Sequence, residues 1–290
     1  MAVRIVSLLP SATETLFAIG AGPEVVGVTH ECDYPPEALS LPRLTASSLP
    51  SSESSGAVDR HVRRALHAGS SLYTLDAGLL ERLQPDLIVT QELCEVCAVS
   101  YGIVDRAARR LTSDPRIVSL EPSSLEDVFS NIQTLGNLTH RESAARELIA
   151  SLRRRREAAR SRATGAQPRV LVLEWTDPTM GAGHWTPGLL EDAGGVPVLA
   201  APGGNSQRLS WDAIAAADPD IVIVAPCGYS LEKTEAAISE LQTKTEWNML
   251  RAVREGRVYP VDGNAYVNRP GPRLIDTIEI FASILRSEAA

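Results

Sequence analysis

Residues 85–89 read P-D-L-I-V, and residues 219–224 read P-D-I-V-I-V. Continuous β-branched runs of this kind are typical of parallel strands that are covered on both faces. Each run follows a short helical segment, which begins near residue 75 in the first case and near residue 211 in the second. The repeated pattern predicts two α/β lobes of the same design.

The two halves of the chain also begin alike. A strand at residues 3–8 leads through a polar loop into a helix that ends at residues 20–22, which read G-A-G. A strand at residues 170–174 leads through a second polar loop into a helix from Thr186 that ends at residues 193–195, which read A-G-G. Each half therefore reads as a lobe with its own sheet.

The segment that joins the lobes is predicted to be helical. Ser123 with Glu126, and Thr139 with Glu142, have the spacing of helix-capping boxes. Gly136-Asn137, between the two boxes, is predicted to end the first helix. Nothing breaks the second helix before about Arg162, so it would be roughly 36 Å long. The sequence thus predicts an α/β protein with two Rossmann-like lobes and mostly parallel sheets, joined by a single long helix. The predicted boundaries are residues 1–138, 139–165 and 166–290.

The composition excludes several classes of protein. Of the 290 residues 44% are apolar and 22% are charged, which is typical of a globular protein. No apolar stretch approaches the ~18 residues that cross a bilayer, so we expect no membrane insertion. The net charge of −8 argues against a nucleic-acid partner. The one basic run, Arg153 to Arg156, is predicted to be the solvated face of a helix.

The start of the chain has no signal-peptide pattern. Met1 is followed almost at once by the first predicted strand, with no charged segment, apolar core and cleavage site ahead of it. We therefore expect a cytoplasmic protein as given, or a periplasmic or cell-surface one if a leader precedes this sequence.

Aromatic residues gather in the loops that follow the predicted strands. In α/β lobes ligands bind beyond the carboxyl ends of the strands. Only 4% of the chain is aromatic, yet these loops hold Tyr34, Trp175, Trp185, Tyr229 and Tyr266. Such a set suits a large, flat, partly apolar ligand, although some of these rings are expected to pack the loops instead.

Motifs in the same loops resemble a known family. The segments are I-V-S-L-L-P-S-A-T-E at 5–14, H-E-C-D-Y-P-P-E-A at 30–38, Q-P-D-L-I-V-T-Q at 84–91, G-H-W-T-P at 183–187, D-P-D-I-V-I-V-A-P-C-G-Y at 218–229 and N-R-P-G-P-R-L at 268–274. Together they resemble the periplasmic-binding-protein family for cobalamin and iron-siderophore uptake, in its helical-backbone class, and its cobalamin-binding subgroup in particular.

The resemblance implies a protein that clamps a corrinoid such as cobalamin between two lobes and has no catalytic cofactor. By position Tyr34 matches the first-lobe aromatic of the family, and Trp175 and Tyr266 fall near its second-lobe aromatics. Gln91 stands where the family often has tryptophan. The candidate ligand-binding residues are Ser11, Glu31, Asp33, Tyr34, Tyr73, Gln91, Glu92, Cys94, Trp175, His184, Trp185, Cys227, Tyr229, Tyr266 and Arg269. His184 could ligate cobalt, donate a hydrogen bond to a corrin amide, or be structural.

Signatures of enzymes are missing from the sequence. Ser11 has no G-x-S-x-G around it, and there is no Walker loop and no H-E-x-x-H. We therefore predict no enzyme activity, while two alternatives stay open. One is a binder of a siderophore or heme, for which Arg208 and Arg269 are the candidate cations. The other is a metal-dependent enzyme or metal-handling protein that uses Cys94 and Cys97.

The resemblance also implies a possible partner. In the transport family a surface glutamate on each lobe docks on arginines of an ABC permease. The matching positions here are about Gly78 and Asp212, with Glu81 one helical turn from the former. Because one acid is absent and the other is shortened, the sequence favours a cytoplasmic corrinoid binder, with an ABC permease as the alternative partner.

Overall fold

The computed structural model describes residues 3–49, 54–67, 72–91, 101–163 and 167–287. The chain divides into two compact units. Unit 1 comprises Met1–Glu53, Arg60–Glu121 and Phe129–Ala150, and unit 2 comprises Ser54–Asp59, Pro122–Val128 and Ser151–Ala290.

Unit 1 is built on a parallel sheet. Its strands are β1 (Ile5–Ser7), β2 (Val25–Val28), β3 (Thr45–Ser47), β4 (Tyr73–Leu75), β5 (Leu87–Thr90) and β6 (Arg116–Ser119). Four of them form a parallel sheet in the order β2-β1-β5-β6, and β3 pairs with β4 antiparallel. On one face of the sheet Val6, Leu8 and Ile88 pack with Leu80 and Val104 into an apolar core.

Among the described residues, six α-helices belong to unit 1 in whole or in part. They are α1 (Pro10–Ala18), α2 (Ser55–His67), α3 (Ala77–Leu83), α4 (Tyr101–Ala108), α5 (Leu125–Leu138) and α6 (Glu142–Ser161). The division into units falls within α2, α5 and α6. The backbone therefore passes from unit 1 into the main part of unit 2 inside the long helix α6.

Unit 2 repeats the design with additional strands. Its strands are β7 (Arg169–Thr176), β8 (Thr179–Gly181), β9 (Val196–Pro197), β10 (Gln207–Arg208), β11 (Ile221–Val224) and β12 (Val258–Pro260). The sheet has the order β10-β8-β7-β11-β12, with β9 also beside β7. Strands β9, β7, β11 and β12 are parallel, and β8 pairs antiparallel with both β7 and β10. The helices are α7 (Thr186–Asp192), α8 (Trp211–Ala217), α9 (Leu231–Leu241), α10 (Thr245–Met249), α11 (Arg251–Arg254) and α12 (Leu274–Ser287).

The predicted fold class is confirmed, and the two Pro-Asp motifs show why. They lead into β5 and β11, which are buried at all four positions and lie between two parallel neighbours. In unit 1 the Asp86 carboxylate accepts a hydrogen bond of 2.8 Å from the Arg4 backbone N–H. In unit 2 Asp220 accepts one of the same length from the Arg169 backbone N–H. Each aspartate thus ties its central strand to the start of the neighbouring strand.

The prediction for the connecting helices was wrong at their ends. Ser124 and Asp127, one residue later than predicted, make the reciprocal cap of α5. Helix α5 continues through Gly136, where a side chain would meet the Ala145 Cβ at 2.5 Å. The Thr139 hydroxyl donates to the Leu135 carbonyl at 2.8 Å, so it completes the end of α5 rather than capping α6.

Only half of the basic run on α6 is a solvated face, because Arg153 and Arg154 are exposed whereas Arg155 and Arg156 are half-buried. Arg155 donates to Asp276 and Glu279 of α12 at 2.5 and 2.7 Å. Arg156 donates to the buried Asp192 at 2.5 Å. The prediction was wrong for Arg155 and Arg156, because four consecutive arginines look the same in a sequence whether carboxylates or water face them. No helix within the described ranges is both long and apolar enough to cross a membrane.

Candidate functional site

In unit 2 the loops after β11 and β12 are packed together at the carboxyl edge of the sheet. The Asn268 amide donates to the Ala225 carbonyl at 2.9 Å, and the Asn264 N–H donates to the Tyr229 carbonyl at 3.0 Å. At Gly263 a Cβ would lie 2.2 Å from the Pro226 carbonyl oxygen, so only glycine allows this approach. Gly263–Val267 form a single π-helical turn, a feature that is frequent at functional sites.

Two aromatic rings meet at this edge. Trp175, near the end of β7, and Tyr229, in the loop after β11, are half-buried. Their ring centroids are 5.4 Å apart in an edge-to-face arrangement, and the Trp175 Nε1–H donates to the Asp177 carbonyl at 3.0 Å. Burial raises the pKa of the Tyr229 hydroxyl. In the loop after β12, the Arg273 guanidinium lies 5.6 Å from the centre of the Tyr266 ring.

The Gly-His-Trp segment is held by backbone hydrogen bonds. His184 has a left-handed backbone (φ 52°), donates its N–H to the Gly204 carbonyl at 2.5 Å and accepts from the Gly203 N–H at 2.8 Å. The Trp185 indole N–H donates to the Val267 carbonyl at 2.8 Å, which links this segment to the π turn. Burial lowers the pKa of His184, so its half-buried ring is neutral at neutral pH.

Glu174 is a site residue that the sequence did not reveal. Its carboxylate accepts hydrogen bonds from the Gly183 N–H and the Ser206 hydroxyl, and its pKa is raised because burial outweighs these two bonds. It therefore connects β7 to the His184 segment. The available signal was an acidic residue directly after the apolar run of residues 170–173.

The raised pKa of Glu174 gives a pH-dependent prediction. A raised folded-state pKa means that Glu174 contributes stability below the unfolded carboxyl pKa of about 4.3, and that this contribution is lost as pH rises through the folded value. We expect Glu174→Gln to melt at a higher temperature than the wild type at pH 8 and at nearly the same temperature at pH 4. The exposed Glu191→Gln is the matched control. An equal difference in melting temperature at both pH values would contradict this account.

In unit 1 five of the predicted residues lie just beyond the carboxyl ends of β1, β2 and β5. Ser11 is in the first turn of α1 and is 7% exposed, and Gln91 directly follows β5 and is half-buried. After β2, Glu31 is half-buried, Asp33 is exposed, and Tyr34 has 44% of its surface exposed. These parallel strands are neighbours, so their loops share one edge of the sheet.

Buried polar contacts hold the loop after β2. The Thr13 hydroxyl lies 2.8 Å from Ser7 Oγ and 3.0 Å from Cys32 Sγ, and all three residues are fully buried. Arg43 donates to the carbonyls of Thr29 and Cys32 at 2.9 and 2.6 Å. Cys32 therefore packs inside unit 1.

Several other predicted residues have distinct placements. Tyr73 lies in β4, is 4% exposed and contributes to the core of unit 1. Arg269 is 5% exposed and donates to the Asn264 side chain at 3.0 Å, and Cys227 is exposed. Arg208 lines a depression of about 570 Å³ whose lining includes none of the predicted ligand-binding residues.

The proposed metal-binding pair, Cys94 and Cys97, is not among the residues that the structure describes. Glu92 also falls outside the described residues. Within the part of the chain that is described, no group of three or more His, Cys, Asp or Glu side chains could hold a metal ion.

Two α/β units that present aromatic and polar side chains at the carboxyl ends of parallel strands have the architecture of a solute-binding protein. The chain belongs to the periplasmic binding protein family, whose sequence profile matches residues 5–265.

Three relatives illustrate the family. The vitamin B12-binding protein of Vibrio cholerae is 23% identical over 98% of this chain and 90% of its own length. The uncharacterized ABC transporter substrate-binding lipoprotein YvrC of Bacillus subtilis is 25% identical over 96% of this chain and 78% of its own length. The periplasmic heme-binding protein HutB of Vibrio cholerae has a TM-score of 0.74 at 21% identity, with 98% of each chain covered, and so shares the fold.

Proposed function

We propose that this protein is a corrinoid-binding protein of the ABC-transporter substrate-binding type, and that it is not an enzyme. The observation that carries the proposal is the edge-to-face pair of Trp175 and Tyr229 at the carboxyl edge of the unit 2 sheet. Half-buried aromatic faces at such an edge suit a large, flat, partly apolar ligand. The vitamin B12-binding relative supports a corrinoid as that ligand.

The charges in unit 1 favour a corrinoid over a carboxylate-bearing chelate. Glu31 and Asp33 stand beside the exposed Tyr34, and the nearby Arg43 donates to backbone carbonyls. A corrin periphery bears neutral amides, whereas heme bears two propionates that these carboxylates would repel.

One observation favours heme as the second candidate. Arg273 is a half-buried cation whose guanidinium lies beside the Tyr266 ring, and it could pair with a propionate. The fold shared with a heme-binding protein is compatible with this reading.

We also propose that the ligand is delivered to an ABC permease. Glu81 on α3 and Asp212 on α8 are both exposed, on the helices that precede β5 and β11. Asp212 stands at one of the positions where the family carries its docking glutamates, and Glu81 lies one helical turn from the other, Gly78. Of the three relatives, one is named as a lipoprotein and one as a periplasmic protein, which supports transport from outside the cytoplasm over the cytoplasmic binder expected from the sequence.

Spectroscopic titration tests the choice of ligand. We expect visible-absorbance titrations to show binding of aquocobalamin and aquocobinamide at least ~10-fold tighter than binding of hemin, since repulsion and a lost hydrogen bond together exceed ~1.4 kcal/mol. Tighter binding of hemin would favour heme as the ligand. Binding of neither the corrinoids nor hemin would exclude both candidate ligands. If His184 ligates cobalt, the spectral shift of aquocobinamide disappears in His184→Ala.

A further inference from the structure

The loop after β2 holds His30 and Glu31, whose side chains offer a hydrogen-bond donor and an acceptor that do not bond to each other. His30 Nε2 and Glu31 Oε1 are 3.9 Å apart, which is too long for a direct hydrogen bond. Their side chains are 26% and 40% exposed, so a ligand group can reach both. The His30 ring also lies against Tyr73, with ring centroids 5.5 Å apart.

The hydrogen-bond network assigns the tautomer of His30. Thr45 Oγ1 lies 2.7 Å from both His30 Nδ1 and Thr29 Oγ1, and it accepts the His30 backbone N–H at 3.0 Å. The Thr29 hydroxyl is buried, and its partners are Thr45 Oγ1 and, at 3.4 Å, His30 Nδ1.

A hydrogen on Nδ1 would leave the Thr29 hydroxyl hydrogen without an acceptor. The Thr29 hydroxyl hydrogen could not go to Nδ1, because Nδ1 would carry its own hydrogen. It could not go to Thr45 Oγ1 either, because that oxygen would already accept two bonds and donate its own hydrogen to Thr29. An unsatisfied buried donor costs about 1–3 kcal/mol. With Nδ1 as an acceptor, every hydrogen in the network has a partner, and Nε2 carries the ring hydrogen.

The ring is also uncharged at neutral pH. Burial and, second, the positive charge of Arg43 lower the pKa of His30. His30 therefore presents one neutral N–H donor, and the adjacent Glu31 carboxylate presents an acceptor.

We propose that His30 and Glu31 together bind a primary carboxamide of the ligand: Nε2–H donates to the amide oxygen, and the carboxylate accepts the amide N–H. The inference rests on the proposed function and deepens it, because it names the chemical group of the ligand that His30 and Glu31 of unit 1 bind. Two hydrogen bonds of about 2.9 Å, one to the oxygen and one from the nitrogen of a planar carboxamide, fit a donor and an acceptor 3.9 Å apart. A carboxylate in the same place would set two anions against each other.

The test compares amide and acid forms of one corrinoid. The probes are dicyanocobinamide, whose side chains end in primary amides, and dicyanocobyrinic acid, whose side chains end in carboxylates. We expect the wild type to prefer the amide form by at least ~10-fold, the effect of one hydrogen bond to a charged group. Glu31→Gln should reduce this preference ~10-fold, because its amide can donate to a carboxylate. The exposed Glu37→Gln should leave the preference unchanged.

The outcomes separate this inference from the proposed function. Binding of cobinamide with the same preference in Glu31→Gln and wild type overturns the carboxamide site alone. Failure of the wild type to bind either corrinoid overturns the proposed function, and the carboxamide site with it.

A ligand-independent measurement tests the site again. Nitrogen NMR of the imidazole rings at pH 7, with His30 assigned by its loss in His30→Phe, should show the Nε2–H tautomer. A ring protonated at Nδ1, or at both nitrogens, overturns the proposal whatever the protein binds.

Discussion

Gly263→Ala is expected to lower the free energy of unfolding by about 3 kcal/mol and to weaken corrinoid binding. The new Cβ would lie 2.2 Å from the Pro226 carbonyl oxygen and 2.7 Å from that of Ala225. Both are backbone atoms of the loop after β11, so the clash can be relieved only by separating two loops. Those loops carry Tyr229 and Tyr266, and for this reason stability and binding should fall together.

Gly188→Ala is the matched control for this substitution. Its Cβ would meet nothing closer than Pro202 Cβ at 3.9 Å, and it lies within α7, where alanine is favoured over glycine. Urea unfolding and corrinoid titration of both variants make the comparison. Equal stability of the two variants would show that the loops after β11 and β12 are not packed as described.

Trp175→Ala is expected to weaken corrinoid binding about 30-fold, or ~2 kcal/mol, with a smaller effect on folding. The indole is half-buried, and its ring contact is with Tyr229 at the carboxyl edge of the sheet. Removing it deletes one aromatic face of the proposed site and also frees the Tyr229 ring. Calorimetric titration measures the loss of affinity.

Trp211→Ala should show the opposite pattern. Trp211 packs edge-to-face on the buried Trp247 in the apolar core of unit 2, at a centroid distance of 6.3 Å. Its removal should lower the melting temperature and leave corrinoid affinity within about twofold of the wild type. If Trp211→Ala reduces affinity as much as Trp175→Ala, the strand-end site in unit 2 is wrongly placed.

The architecture could be predicted because it depends on short, unbroken patterns. The runs that became β5 and β11 are buried on both faces, so every position is apolar and the signal is strong. The strand-end loops followed from the same assignment. Helix ends were less predictable, since Gly136 allows α5 to approach Ala145 of α6 and the Thr139 hydroxyl bonds within the end of α5, and no local pattern records either contact.

The candidate site could be predicted only in part. Trp175 and Tyr229 were expected at strand ends, but their contact depends on the pairing of β7 with β11. Tyr73 looked like a ligand-binding aromatic, yet β4 turns its ring into the core beside His30. Glu174 was missed because its role depends on Gly183 and Ser206, which only the folded chain brings to it.

Calorimetric titration of the wild-type chain with cobinamide and cobalamin tests the central claim most directly. The account predicts saturable heat, one corrinoid bound per chain, and micromolar or tighter affinity for at least one of the two. An absence of heat with both corrinoids, at micromolar protein and excess ligand, would contradict it.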